Sequence, residues 1–186
     1  MPKLKLLILD AGVVIKLHEW NLWDQVISRC DIHLSSIVAG LESKYHRVEG
    51  DEWDQDIDLT TAVDQGLVNV FEVPQAQILA FKDRFDSNYC GILDAGEAES
   101  LTYLTAQTSS GFKISSGDAI VYKVLGNLNL AEQGISLEEV LQQIGQSRRI
   151  DEPQYKKAFR DQMTRVGSID RIQGRGLKPE RPSNSG

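Results

Sequence analysis

The sequence predicts an α/β sandwich on a mainly parallel sheet. Three observations carry that prediction. The run Leu6-Leu7-Ile8-Leu9 is apolar without alternation, as in a strand covered on both faces. Strand-like and helix-like segments then take turns along the chain, and no hairpin signal joins two strands.

The elements follow in order. Leu4–Leu9 is the first strand, and apolar residues at helical spacing (Trp20, Trp23, Val26, Ile27) predict a helix over 19–29. A short strand to Leu34 comes next, with Ser35 or Ser36 as the N-cap of a helix that carries Glu42. Residues 49–66 are acidic and weakly periodic, a surface segment that is partly helical. Val and Phe enrichment predicts a strand over 67–73, and Pro74 suits the first turn of a helix to about Phe85. A further helix starts within 93–107, a strand spans 112–115, and a helix from Asp118 to Leu125 ends near Gly126. Residues 128–131 read as the last strand and 136–144 as the last core helix. Beyond them, 153–166 has the pattern of a basic helix, and the Gly-, Pro- and Ser-rich remainder reads as a flexible tail. The expected organisation is one domain over 1–145 with a basic C-terminal extension over 146–186.

Composition narrows the class of function. The 186 residues carry ordinary hydrophobic (41%) and charged (25%) fractions, and no apolar run is long enough to cross a bilayer, so the expectation is a cytoplasmic protein without a membrane segment. Two cysteines, Cys30 and Cys90, are too few for a disulfide framework, and His18, His33 and His46 form no metal-type spacing. The net charge of −7 hides an asymmetry: bases such as Arg148, Arg149, Lys156, Lys157, Arg160 and Arg165 outnumber acids in the extension. A basic tail on an acidic body suits contact with a polyanion or with the body itself, and a solvated extension is the plainer alternative.

In a parallel α/β fold the ligand crevice lies beyond the carboxyl ends of the strands. Asp10 ends the first strand and Asp118 follows the "FKISS" strand, so both fall at that crevice. Glu42 and Glu97 are candidates to join them. Carboxylates that converge there raise one another's pKa unless a cation intervenes. Oxygen-only ligands suit magnesium or manganese rather than zinc, and such an ion can hold an attacking water and a phosphodiester oxygen together. Plainer roles stand beside this one. Asp94-Ala-Gly-Glu97 has capping-box spacing, Glu97, Glu99 and Asp118 suit a helix start, and Glu42 suits a helix surface. Asp10 has no capping role of comparable simplicity.

The segments "LLILDAGVVIKL", "LDAGEAESLTYL" and "ISSGDAIVYKVLGNLNLAEQGISLEEVL" resemble the first, third and fourth acidic segments of the PIN domain family, closest to members with a Gly-Glu-Ala-Glu helix start. Many of those are toxins of bacterial toxin–antitoxin pairs. The resemblance covers about the first four-fifths of the chain. It implies a three-layer α/β/α sandwich, Mg2+- or Mn2+-dependent hydrolysis of RNA phosphodiesters, an antitoxin partner and a homodimer. By resemblance the acids fall on Asp10, Glu42, Glu97 (with Glu99 close behind) and Asp118.

The chain departs from the pattern at Ala11 and Gly12, where the family usually has Thr or Ser and then often Asn. It departs again at Ser116 and Gly117, where a Thr and a second Asp are usual. These losses thin the groups that order the ligands, which costs metal affinity or activity by about one to two powers of ten. An acidic site needs nearby cations to hold a polyanion, and Lys16, Lys44, Arg47 and Lys123 are candidates, with Ser116 as a further substrate contact. Two rival expectations are a catalytically weak binding or scaffold protein, and a phosphatase of the haloacid dehalogenase type. "LDAGVV" is similar to the nucleophile loop of the latter, but Gly12 stands where that chemistry wants a second Asp.

Overall fold

β1 (Leu4–Leu9) is the strand that the unbroken apolar run predicts. A computed structural model describes residues 4–42, 45–46, 55–107 and 110–179, with side chains from Leu7 onward except at 41–46. β1 lies between two parallel neighbours, β2 (Cys30–Ser35) and β6 (Lys113–Ser115), and β5 (Val68–Phe71) pairs with the far side of β2. The resulting order is β5-β2-β1-β6, all parallel, while β3 (Tyr45–His46) and β4 (Gln55–Asp56) form a separate antiparallel pair. The chain steps outward from β1 to β2 and β5, then returns to the other side of β1. That reversal opens a crevice at the carboxyl ends of β1 and β6.

Both faces of the sheet are covered, which is why β1 does not alternate in polarity. Leu7 and Leu9 enter one apolar cluster and Ile8 the other, and all three are fully buried. The first face receives α1 (Ala11–Glu19), α2 (Trp23–Arg29), α3 (Thr60–Asp64) and α8 (Leu137–Gln143). The second receives α4 (Gln75–Asp83), α5 (Ser87–Cys90), α6 (Ala95–Ala106) and α7 (Ala119–Asn127). The fold is therefore the expected three-layer α/β/α sandwich.

Three expectations need correction. The helix expected over 19–29 is two helices: α1 begins at Ala11, directly after β1, because Val13, Val14 and Leu17 already form a buried helical stripe, and a positive φ at Asn21 breaks the path before α2. The strand expected over 128–131 is instead the end of α7. Asn129 takes the left-handed conformation and the Leu130 amide donates to the Leu125 carbonyl, a Schellman-type stop, so that only Gly134 bridges β6 at Ile114. The basic helix, α9 (Lys157–Ile172), runs past Gly167 rather than stopping before it. Gly167 lies where a Cβ would sit 2.0 Å from the Lys123 carbonyl, and Gly126 lies equally close to the Thr164 carbonyl, so α7 and α9 meet backbone to backbone.

The flexible tail expected after the basic helix is corrected too, since the described residues beyond α9 are tied down through Lys178. Buried Asn127 donates to the carbonyls of Gly167 and Arg175 and accepts from the Leu177 amide, while Asp86 accepts from the Gly176 amide at 2.7 Å. Among the described residues no helix is long and apolar enough to cross a membrane. Cys30 and Cys90 are both free thiols.

Candidate functional site

The crevice between β1 and β6 is built by the residues that follow each strand. The Asp10 amide donates to the Ser115 carbonyl at 3.1 Å, extending the β1–β6 pairing by one step. Asp10 then turns into α1 as its N-cap, with Oδ1 accepting from the Ala11 amide at 2.7 Å. The expectation that Asp10 has no capping role is thus wrong, since a helix starts directly at the strand end. Its other oxygen has a second task. Oδ2 accepts from the Ser116 hydroxyl at 2.9 Å, and that hydroxyl accepts from the Asp118 amide at 2.9 Å. Ser116 therefore orients Asp10 and the loop that carries Asp118.

Asp10 is only 5% exposed, and burial pushes its carboxyl up to about 7 against the opposing Ser116 hydrogen bond, with the Asp118 charge adding to the rise. Glu97 is similarly enclosed, and its carboxyl is pushed up to about 8. Burial is again the main cause, countered by the Asp94 amide and reinforced by the charges of Asp94, Asp10 and Asp118. Asp10, Glu97 and Asp118 thus share one electrostatic environment. Asp118 is exposed at the N-terminus of α7, its carboxylate makes no cap hydrogen bond, and its charge acts on both Asp10 and Glu97.

The plainer reading of Glu97 also holds. Glu97 Oε2 accepts from the Asp94 amide at 3.0 Å while Asp94 accepts from the Glu97 amide at 2.8 Å, completing the capping box of α6. Glu99, an expected companion ligand, is placed elsewhere. Its carboxylate accepts from the Val73 amide at 2.9 Å, the Ile37 amide at 3.2 Å and the Ser36 hydroxyl at 3.1 Å, which ties α6 to the ends of β2 and β5. A helix places residues two apart on different faces, so Glu97 and Glu99 cannot share one task.

The remaining expected residues are spread. The backbone of Glu42 closes a π-turn over Val38–Glu42, but its side chain, like Lys44 and Arg47, lies outside the described residues. Lys123 belongs to the α7–α9 crossing, where its carbonyl abuts Gly167. Lys16 is engaged by Glu19 at 2.6 Å and Glu152 at 3.3 Å; burial pulls its ammonium down, and these two carboxylates more than reverse that.

One site residue carries no local signal in the sequence. Tyr155, in a single 3-10 turn (Pro153–Tyr155) before α9, lies over the two glycines that flank the acids. A Cβ on Gly117 would sit 2.9 Å from its ring, and a Cβ on Gly12 would sit 3.7 Å from both the Tyr155 hydroxyl and Asp10 Oδ2. The hydroxyl donates to the Gly12 carbonyl at 3.4 Å. Burial raises the phenol, Lys16 lowers it, and Asp10 and Asp118 raise it further, as expected for a ring beside both acids. Two glycines next to acids imply a bulky neighbour, but nothing in the sequence says which.

The donors suit a hard divalent cation in kind, being oxygen-only and mutually repelling. They are not a preassembled cage: among the described residues no three carboxylate, imidazole or thiol groups are placed to hold one ion. No protein-family model matches the chain, and no characterised protein matches it in sequence.

Proposed function

We propose that the crevice between β1 and β6 is the active site of a PIN-type ribonuclease that needs Mg2+ or Mn2+. The observation that carries this reading is the meeting of Asp10, Glu97 and Asp118 at the topological switch point, where burial and the neighbouring carboxylates push the carboxyls of Asp10 and Glu97 up. Asp10, Glu97 and Asp118 would hold the ion, which when bound supplies an acidified water and charge stabilisation at phosphorus. Ser116 fixes the orientation of Asp10, and Asp10 and Glu97, with pKa values near neutrality, are suited to hold and release protons there. On this reading RNA is the substrate; the cytoplasmic location, the antitoxin partner and the homodimer rest on the resemblance and the default from composition.

The test is cleavage of single-stranded RNA by the purified full chain with Mn2+. Asp10→Asn and Asp118→Asn each abolish cleavage, and an unchanged rate in either refutes the assignment.

A binding or scaffold protein is the second reading. It is favoured by the enclosure under Tyr155 and by the lack of a preassembled ligand set. Calorimetric titration with Mn2+ separates the two. Saturable binding that Asp118→Ala removes supports the enzyme, and no binding at all supports the scaffold.

A further inference from the structure

The stretch from Asp151 to Lys156 crosses the mouth of the acidic crevice between two fixed points. Ile150, buried in the first apolar cluster, holds one end. The other end is α9, whose Lys157 amide donates to Glu138 and whose Arg160 pairs with Glu139 at 2.9 Å. Between them lies one 3-10 turn, whose Tyr155 packs in the same apolar cluster as Ile150 and makes side-chain contacts to the crevice.

Two of those contacts occupy what an anionic ligand would use. Glu152 joins Glu19 on Lys16, at 3.3 Å against 2.6 Å, and the same ammonium lies 6.0 Å from the centre of the Tyr155 ring. Tyr155 fills the space over Gly12 and Gly117, next to Asp10 and Asp118.

We propose that Asp151–Lys156 is an autoinhibitory strap: Glu152 completes the neutralisation of Lys16 that Glu19 begins, Tyr155 covers Asp10, and a phosphodiester chain enters only by displacing both. The proposal rests on the reading of the crevice as a site for RNA. It explains the glycine at 117, where a Cβ would meet the tyrosine ring at 2.9 Å. It also accounts for a second carboxylate, Glu152, on a lysine that Glu19 already pairs.

The test uses the full chain as wild type, Glu152→Gln, Tyr155→Ala and the double variant Lys16→Met/Glu152→Gln. Two readouts are taken: carbodiimide labelling of the Asp10 carboxyl, located by mass spectrometry, and anisotropy of a fluorescein-labelled single-stranded oligoribonucleotide with Mn2+ present. Glu152→Gln and Tyr155→Ala raise Asp10 labelling, and Glu152→Gln tightens RNA by about twofold, the share of an exposed ion pair that is left to gain while Glu19 still holds Lys16. Lys16→Met removes that gain. Unchanged labelling in both single variants overturns the strap, and so does raised labelling with wild-type RNA affinity. If labelling rises while neither wild type nor variants bind or cleave RNA, the strap stands and the ribonuclease reading falls. Glu152→Gln decides the matter alone if Tyr155→Ala fails to fold.

Discussion

Two pairs of glycines receive the same C-terminal segment in different ways. Gly126 and Gly167 bring backbone against backbone, with missing Cβ atoms 2.0 Å from carbonyl oxygens of the opposite helix. Gly117 instead makes room for one side chain, the ring of Tyr155 at 2.9 Å, while a Cβ at Gly12 would stand in ordinary contact with its hydroxyl at 3.7 Å. A helix backbone cannot retreat without losing its own hydrogen bonds, whereas a ring can rotate. The first contact fixes the architecture, and the second can open.

The largest expected effect breaks the first pair. Gly167→Ala forces α9 off α7 and costs at least about 3 kcal/mol, in line with severe overpacking of a core contact. For a chain of this size that lowers Tm by roughly 10 °C in a thermal melt. Gly126→Ala has a similar effect. A Tm within a degree or two of wild type contradicts the backbone contact.

The two buried glutamates of α6 sharpen the contrast between fold and site. Glu99→Ala strands the Val73 and Ile37 amides and costs about 2–3 kcal/mol, the penalty for unsatisfied buried donors, while leaving Mn2+ binding in place. Glu97→Gln has the opposite profile. It keeps the side-chain oxygen that accepts from the Asp94 amide, loses Mn2+ binding, and stabilises the apo protein at high pH. The sign follows from the direction of the shifts. Asp10 and Glu97 have folded pKa values near 7 and 8, above their unfolded values, so their contribution is complete below about pH 4 and is lost as pH rises through 7 and 8. Asp10→Asn and Glu97→Gln therefore gain stability over wild type at pH 8.5 by about 1–3 kcal/mol, and the gain vanishes near pH 4. Melts across pH 4–9 without metal measure it, and a gain that is largest at low pH contradicts the assignment.

These contrasts show what the sequence makes legible. β1 is readable because a strand buried on both faces is apolar throughout, β5 from its Val and Phe enrichment, β6 as a short run after a glycine, and the Asp94–Glu97 box because capping is a matter of spacing over four residues. Asp10 and Asp118 are readable as crevice acids because strand ends and helix starts place them there. What escapes is what depends on distant partners. Glu97 and Glu99 look alike in "GEAES", and only the position of the β2 and β5 ends separates their tasks. The cap at Asp10 is hidden because it requires a helix with no intervening loop. Tyr155 is hidden most completely, since 37 residues separate Asp118 from it in the numbering, and its partners are glycines that show only an absence.

The smallest expected change in stability is the most informative about the second pair. Gly117→Ala places a methyl against the Tyr155 ring at 2.9 Å, and the atoms it meets are the far end of one side chain, which gives where a helix backbone cannot, so the cost stays below about 1 kcal/mol and the melt shifts by at most a few degrees. The local effect is larger than the global one. Displacing the ring weakens its 3.4 Å bond to the Gly12 carbonyl and loosens the turn at Pro153–Tyr155, so amide hydrogen exchange of the Tyr155 and Lys156 peptide quickens while α7 and α9 keep wild-type protection. If Gly117→Ala instead destabilises the protein as strongly as Gly167→Ala, the tyrosine is as immovable as a helix backbone, and the two glycine pairs are structural devices of one kind.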